Sequence, residues 1–149
     1  MAEGQNREGR QLFCRVITPE KVIYDGEADL VVVRIADGDI GVLVDHAPTV
    51  STVEPREVRV YQDDEKYVFA TSDGFFKVSE NLVQILVEEA VPPEEIDVDE
   101  AESRIEEAEN ELSELSPDDE EWERKQAGIE RRRRVAENLV RAAREYGEG

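Results

Sequence analysis

The sequence predicts an all-β sandwich followed by an antiparallel α-helical hairpin. Residues 11–91 contain about 8 to 10 short apolar and β-branched runs with turn residues between them, as in sandwiches and barrels. No segment of helical periodicity interrupts these runs, and Pro92-Pro93 end them. Beyond the prolines, apolar residues recur at spacings of three and four. We therefore divide the chain into a disordered arm (1–10), a β-sandwich domain (11–91) and a helical hairpin domain (92–149).

Turn chemistry marks most strand ends in the predicted sandwich. The first strand is predicted at 12–17, and the run 30–35, apolar except for Arg34, favours a strand buried on both faces or one passing between two sheets. Asp37-Gly38 is a hairpin signal. Further strands are predicted at 40–44, 49–53, 58–61, 67–70, 75–78 and 82–87.

Two helices are predicted in the back half, with a cap for each. Asp97 is the expected N-cap of the first, with Glu100 three residues on. For the second, Ser116 is the expected cap and Pro117 the first helical residue. Its end is expected at Gly147. The apolar stripes are Ala101, Ile105, Ala108, Leu112 and Leu115 in the first helix, and Trp122, Ile129, Ala136, Leu139, Val140 and Ala143 in the second.

Charge is divided unequally between these helices. Residues 94–121 are acidic almost throughout, with Arg104 as their single base, whereas 124–144 are rich in arginine. Opposite charges favour antiparallel pairing, although each exposed ion pair contributes little. Because the apolar stripe is narrow and rich in alanine, we expect a weakly held hairpin.

The whole chain is strongly acidic, with 38 Asp and Glu against 18 Lys and Arg and a net charge of -20. This balance argues against nucleic acid and against anionic membrane surfaces as partners. It leaves two interpretations: a surface adapted to a salt-rich cytoplasm, or one that docks onto a basic partner.

Catalytic and metal-binding constellations are not apparent. Cys14 is the only cysteine and lies in an apolar run, which favours a buried structural thiol. His46 is the only histidine, and no Ser or Cys is paired with it in the sequence; a metal site with Asp45 would lack further ligands. No apolar run approaches ~18 residues, and the polar start resembles neither a signal nor a transit peptide. We therefore expect a non-enzymatic protein without direct membrane insertion.

One segment carries a family resemblance. Gly38-Asp39-Ile40-Gly41-Val42-Leu43 followed by His46-Ala47-Pro48 resembles the G-E/D-x-G-x-x-x-x-H-A-P segment of the epsilon subunit of F-type ATP synthases. Residues 69–78 resemble the strand-turn-strand of that family, and 82–90 its closing strand. The resemblance extends over about 11–146. Val44-Asp45 departs from the usual Pro-Gly, and we expect Asp45 to accept the turn conformation.

The resemblance implies a subunit of the rotating central stalk. It would couple the membrane ring to the shaft and inhibit ATP hydrolysis through its C-terminal helices, on the cytoplasmic face of the bacterial inner membrane. Its implied partners are the c subunits of the ring, the gamma (shaft) subunit and the catalytic beta subunits, with protons or sodium as coupling ion. The implied contacts are a ring-facing loop with Asp39 at its tip (Gly38, Asp39, Ile40, Gly41), a gamma contact (His46, Ala47, Pro48) and an inhibitory contact to beta (Arg131, Arg132, Arg133, Arg134). Alternatively, these arginines only balance the first helix.

Some members of the resembled family bind ATP through the pattern I/L-D-x-x-R-A. The corresponding residues here are Ile96, Asp97, Glu100 and Ala101, with Glu100 in place of the arginine. A carboxylate there repels phosphate, so we expect no cofactor and disfavour ATP. From another class of function, the alternative is a free-standing β-sandwich adaptor or ligand-binding module.

Overall fold

A computed structural model of the chain describes residues 10–147. The chain divides into two compact units, with the boundary between Pro92 and Pro93. The predicted arm lies outside the described residues except for Arg10, whose Nη2 is 2.9 Å from Asp45 Oδ2.

Ten strands form the first unit within the described residues, arranged as two five-stranded sheets. The sheet orders are β2-β1-β9-β8-β5 (sheet A) and β10-β7-β6-β3-β4 (sheet B), which confirms the predicted sandwich. All pairs are antiparallel except β1 with β9. The strands are β1 (Leu12–Ile17), β2 (Val22–Ala28), β3 (Leu30–Ile35), β4 (Gly38–Val42), β5 (Thr49–Val53), β6 (Glu57–Gln62), β7 (Glu65–Thr71), β8 (Gly74–Ser79), β9 (Leu82–Val87) and β10 (Ala90–Val91).

Alternation along the strands builds the sandwich core. In β1, Leu12, Cys14 and Val16 are buried while the residues between them are more exposed. The two-residue period arises because successive side chains point to opposite faces of a sheet. The largely apolar run of β3 had suggested a strand buried on both faces, but the same alternation gives it one buried face. Val31 and Val33 are fully buried, whereas its other residues are only partly buried.

A close backbone approach fixes the start of β8. A Cβ added to Gly74 would lie 2.2 Å from the carbonyl oxygen of Leu86 on the neighbouring strand. Only glycine fits without a shift of the backbone. At the other end of the β8–β9 hairpin, Glu80 and Asn81 both have positive φ, 51° and 64°, the geometry of a tight two-residue turn.

The second unit is a short 3-10 helix, Pro93–Glu95, followed by α1 (Val98–Glu114) and α2 (Trp122–Tyr146). Two cross-helix contacts show that the helices are antiparallel. Arg132 meets Glu111 near the connection, and Arg144 meets Glu102 farther from it. The predicted helical hairpin is therefore confirmed.

The cap of α1 is confirmed and that of α2 is not. Asp97 Oδ1 accepts a hydrogen bond of 3.1 Å from the Glu100 amide. In contrast, α2 does not begin at Pro117: the Ser116 hydroxyl and carbonyl accept hydrogen bonds from the amides of Asp118 and Asp119, forming a turn. These local bonds compete with the helix, so α2 begins only at Trp122.

Alanine supplies four of the nine buried positions of the two helices. Of the predicted stripe, Ile105, Leu112, Leu115, Trp122 and Ala143 are not fully buried. Val135, Asn138 and Ala142 are buried but were not in it. The buried residues of the two helices are Ala101, Ala108, Ile129, Val135, Ala136, Asn138, Leu139, Val140 and Ala142.

Candidate functional site

The β3–β4 hairpin differs from the loop that the sequence suggested. Its tip is Ala36–Asp37, both exposed, because Ile35 pairs with Gly38. The predicted ring-facing residues, 38–41, are strand residues of β4 and not a loop. Gly38 has φ +126°, which a residue with a Cβ rarely adopts, so it allows the turn to close.

Asp39 is held across the sheet and is not at the tip. Its Oδ1 accepts a 2.8 Å hydrogen bond from Arg34 Nε on the neighbouring strand, and Arg59 Nη2 lies 3.4 Å from its Oδ2. The hydrogen bond from Arg34 is the largest cause that lowers the pKa of Asp39, and the charges of Arg34 and Arg59 act in the same direction. Asp39 is thus an ionised partner of two arginines of its own sheet.

The corner between β4 and β5 is fixed through Asp45. Its φ is +67°, the left-handed conformation that the glycine of the resembled Pro-Gly pattern would supply. The predicted tolerance of Asp at this turn is therefore confirmed. The Asp45 amide donates a 2.6 Å hydrogen bond to Asn81 Oδ1, and Asn81 Nδ2 donates back to Asp45 Oδ1 at 3.3 Å. These two bonds tie the corner to the β8–β9 turn, and Arg10 contacts the other carboxylate oxygen, Oδ2.

The predicted gamma-contact residues lie just after this turn. The His46 amide donates to the Leu43 carbonyl at 3.2 Å, and His46 Nδ1 lies 2.8 Å from the Ala47 carbonyl oxygen. A carbonyl oxygen can only accept a hydrogen bond, so Nδ1 carries the proton in this contact. Ala47 and Pro48 are exposed, and β5 begins at Thr49.

The four predicted inhibitory arginines do not share one face. They are consecutive in α2, and consecutive helical residues are about 100° apart around the axis. Arg132 pairs with Glu111 of α1, whereas Arg133 Nε is 3.9 Å from Glu137 Oε2 on its own helix. Arg134 is exposed and forms no ion pair within residues 10–147.

The residues of the predicted ATP pattern have structural contacts of their own. Asp97 caps α1, and Ala101 is fully buried. Glu100 Oε2 lies 3.4 Å from Arg104 Nε, one turn along the helix. The Ile96 amide donates to the Pro93 carbonyl at 3.3 Å.

Other candidate chemistry is sparse in the described part of the chain. Cys14 is fully buried, as predicted, and burial raises the pKa of its thiol to about 12. Between residues 10 and 147, no group of three or more His, Cys, Asp or Glu side chains is arranged to hold a metal ion. Over the same range, no helix has the length and apolar character needed to cross a membrane.

Sequence reasoning missed the side chains that hold the predicted ones in place. Asn81 is 36 positions from Asp45, and Arg59 is 20 from Asp39. Once the hairpin tip is assigned to Ala36–Asp37, the register of the hairpin predicts that Arg34 lies opposite Asp39. The others depend on which strands are neighbours.

Comparison with known proteins gives the family. Residues 11–93 match the family model described as "ATP synthase, Delta/Epsilon chain, beta-sandwich domain". The ATP synthase epsilon chain of Rubrobacter xylanophilus is 64% identical over 143 residues, covering 95% of this chain and 98% of that relative. The sodium ion specific epsilon chain of Propionigenium modestum is 35% identical over 103 residues, covering 69% and 75% of the two chains.

Solved structures agree with this result. A chain in the structure of the Euglena gracilis mitochondrial ATP synthase, comprising OSCP, F1 and the c-ring, superimposes with a TM-score of 0.69 and 27% identity, covering 91% of this chain and 85% of that one. A chain in the central stalk and c-ring of the Tetrahymena thermophila enzyme has a TM-score of 0.61 over 90% and 97% of the two chains; at 10% identity it shows the fold alone.

Two five-stranded sheets packed as a sandwich and followed by a helical hairpin define the fold class of the chain. Together with the matches, this fold shows that the chain belongs to the delta/epsilon family of ATP synthase subunits. Its function is that of an epsilon chain, a subunit of the ATP synthase complex. This replaces the alternative of a free-standing adaptor.

Proposed function

We propose that the chain links the membrane ring to the rotating shaft and restrains ATP hydrolysis with its helical hairpin. The observation that carries the proposal is the construction of the helical unit. It is compact by itself, its buried surface is rich in alanine, and exposed ion pairs such as Arg132–Glu111 join its helices. A small buried apolar area and exposed ion pairs contribute little free energy to the pairing of the helices. Such a hairpin can therefore change from one conformation to another.

In this proposal the sandwich supplies the contacts with the c ring and the gamma subunit. The exposed tip Ala36–Asp37 and the flanking strand residues 38–41 would face the polar loops of the c ring. The corner His46 to Pro48 would contact the gamma subunit. Rigid placement favours this use, because Asn81 and Arg10 both hold Asp45 directly before the corner.

The arginines of α2 are the proposed inhibitory contact with the catalytic beta subunits. Their guanidinium groups suit an acidic loop because they form bidentate pairs with carboxylates. Arg134 is exposed without an ion pair in residues 10–147, and Arg132 would exchange Glu111 for a carboxylate of beta when the hairpin opens. The contact therefore depends on the state of the hairpin.

ATP is not expected to regulate this hairpin. Glu100 places a negative charge where the family pattern has an arginine, and it already pairs with Arg104. The test is the melting temperature of the full-length protein with and without millimolar Mg-ATP. We expect no change for the natural chain; a clear rise would contradict this. Glu100→Arg restores the pattern and tests whether the rest of the site is intact.

The inhibitory role is tested by the ATPase activity of the catalytic complex. We compare the full-length protein with a chain ending at Val91 and with a full-length Arg131→Ala, Arg132→Ala, Arg133→Ala, Arg134→Ala variant. Full-length protein is expected to inhibit, and both variants to release the inhibition. Equal inhibition by all three would refute the proposed inhibitory role of the hairpin. The coupling role would then be tested separately.

The proposed location is the cytoplasmic face of the bacterial inner membrane, as a peripheral part of the synthase. The test is a pull-down of the tagged chain from solubilised membranes. The gamma, beta and c subunits are expected to be captured with it. Capture of the chain without these subunits would contradict the proposed location. The coupling ion, proton or sodium, is then read from the ion dependence of the captured enzyme.

A further inference from the structure

The chain contains three Asp-Gly pairs, at positions 25–26, 37–38 and 73–74. Such a pair can rearrange without an enzyme, because glycine has no side chain to hinder the attack of its amide nitrogen on the carboxyl carbon of the preceding aspartate. The attack needs a rotation of the peptide that joins the two residues, and a carboxyl group that is free to turn. The fold therefore decides which of the three pairs can react.

The pair Asp25-Gly26 lies in the middle of a strand. In β2, Asp25 is opposite Arg15 and Gly26 is opposite Cys14 of β1. The carboxylate is also engaged, because Asp25 Oδ1 accepts a 3.3 Å hydrogen bond from Arg15 Nε. A rotation of this peptide would separate part of β2 from β1, so the sheet opposes the movement that the attack needs.

The pair Asp73-Gly74 enters the interior of sheet A. Gly74 begins β8, and it is opposite Val53 of β5 on one side and Val87 of β9 on the other. A Cβ added to Gly74 would lie 2.2 Å from the Leu86 carbonyl oxygen, so the backbone here is in close contact with the next strand. The peptide before Gly74 cannot rotate without moving its neighbours.

The pair Asp37-Gly38 lies instead at the tip of the β3–β4 hairpin. Ala36 and Asp37 are exposed, and the Asp37 carboxylate forms no hydrogen bond or ion pair with residues 10–147. Gly38 has a φ of +126°, and beyond its chain neighbours no atom lies within 4 Å of the place that a Cβ would take. Because β4 is the edge of sheet B, Gly38 has a strand partner, Ile35, on one side only. Such a tip opens locally at a lower free energy than a strand of the core.

We propose that Asp37-Gly38 is a site of succinimide and isoaspartate formation. The Gly38 amide nitrogen forms a bond to Cγ of Asp37, and the hydroxyl of the protonated carboxyl group leaves as water with the amide proton. Water then opens the succinimide ring. Opening at Cγ restores aspartate, whereas opening at the main-chain carbonyl carbon leaves Gly38 linked to Cγ and a free α-carboxylate at residue 37. The water lost in the first step is regained in the second, so the mass is unchanged and no oxidant is needed.

Isoaspartate at position 37 would alter the hairpin that carries it. The main chain then passes through Cβ and Cγ of residue 37, and it is longer by one carbon atom in a turn that joins Ile35 to Gly38. The register that places Asp39 opposite Arg34 is expected to be disturbed, because the turn fixes the register of a hairpin. The free α-carboxylate is the group that isoaspartyl methyltransferases esterify, so the modified chain is expected to be a substrate for this class of enzyme. The proposal does not depend on the proposed function.

The test is incubation of the folded full-length chain for weeks in neutral buffer, followed by digestion with trypsin. Cleavage after lysine and arginine places the three Asp-Gly pairs in separate peptides, residues 22–34, 35–56 and 67–77. An isoaspartyl peptide keeps its mass but changes its retention time, and fragmentation by electron transfer locates the modified residue. A purified isoaspartyl methyltransferase with a labelled methyl donor measures the amount of free α-carboxylate.

In the folded chain, the 35–56 peptide is expected to contain about tenfold more isoaspartate than either of the other two, because the hairpin tip opens more readily than the strands. In urea, all three peptides are expected to be modified at similar rates, since the fold no longer restrains them. Asp37→Glu keeps the charge but would need a larger ring, and it is expected to remove nearly all isoaspartate from this peptide. Asp37→Asn is expected to form the same succinimide with loss of ammonia, giving aspartate and isoaspartate at position 37.

The natural chain alone decides the result, so misfolding of a variant does not affect it. Equally low modification of the three peptides in the folded chain, with modification of all three in urea, would overturn the proposal, because the hairpin would then hold its tip as firmly as the strands. Modification that is greatest in the 22–34 or 67–77 peptide would overturn it too. So would modification of the 35–56 peptide at Asp39 or Asp45 and not at Asp37.

Discussion

Arg132 donates two hydrogen bonds to the carboxylate of Glu111 across the helical hairpin, with Nη2 2.7 Å from Oε1 and Nη1 3.3 Å from Oε2. The two residues are 21 positions apart and lie on antiparallel helices. This hydrogen bond is the largest cause that lowers the pKa of Glu111. In the proposed function, the same guanidinium forms part of the inhibitory contact with the beta subunits. Closing the hairpin therefore occupies a group that opening releases.

Replacing Glu111 with glutamine is expected to favour the open hairpin and to strengthen inhibition of ATP hydrolysis. The amide is neutral and cannot hold the guanidinium as a charged bidentate partner. The distance between spin labels or fluorophores in α1 and α2 measures opening, and the ATPase assay measures inhibition. In the natural chain, the stabilising effect of the pair is present above the ordinary carboxyl pKa. It is lost as the pH falls through the lowered pKa of Glu111.

Glu109→Gln is the matched control for this change, because Glu109 is exposed on the same helix and forms no hydrogen bond or ion pair with the described residues. It alters the net charge equally and is expected to leave both readouts unchanged. The difference between the two variants is expected to vanish at molar salt, since exposed charges are then screened. A difference that persists at molar salt would contradict an ionic origin.

Substitutions at Asp45 are expected to follow the cost of a positive φ. Asp45→Val forces a β-branched residue to φ +67° and is expected to lower the free energy of unfolding by about 1–2 kcal/mol. Asp45→Gly relieves the backbone but loses the bonds to Asn81 and Arg10, so its effect is expected to be smaller. Urea denaturation measures both. A glycine variant less stable than the valine variant would contradict this account.

Two glycine-to-alanine changes are expected to have opposite signs. Gly128 lies inside α2 with open space where a Cβ would be placed, so Gly128→Ala is expected to stabilise the helix by about 0.5–1 kcal/mol. Gly74→Ala places a methyl group 2.2 Å from the Leu86 carbonyl oxygen and is expected to destabilise by about 1–3 kcal/mol. Thermal unfolding checks both, and equal signs would count against the assigned geometry.

The Cys14 thiol is expected to resist modification in the folded state. With a pKa of about 12, almost none of it is thiolate at about pH 8, so an aromatic disulfide reagent is expected to react about a thousandfold more slowly than with the unfolded chain. The unfolded thiol loses its proton at lower pH than the folded one. Stability is therefore expected to fall between the unfolded pKa and about 12, and less so in Cys14→Val. Fast labelling of native protein would contradict the burial.

Salt is expected to stabilise the chain as a whole. A net charge of -20 repels itself in the compact state, and molar salt screens this repulsion. The melting temperature is therefore expected to rise between low salt and molar potassium chloride. Unchanged stability would refute the interpretation that the acidic surface is an adaptation to a salt-rich cytoplasm.

The sequence by itself determined the elements and the family. Two-residue alternation, as at Leu12, Cys14 and Val16, is a local property, and so is the cap formed by Asp97. The segment around His46 carried the family resemblance because its turn residues are specified by backbone conformation. Local rules failed where two local structures competed, as at Ser116, whose turn delays the second helix to Trp122.

Only the tertiary structure decided which distant residues meet. The hydrogen bonds between Asn81 and Asp45 depend on the order of the strands, and those between Arg132 and Glu111 on the register of the helices. Sheet A joins five strands whose order in the sheet differs from their order in the chain. Pairing between distant segments depends on the free energy of the whole packed core, which no short stretch of sequence contains.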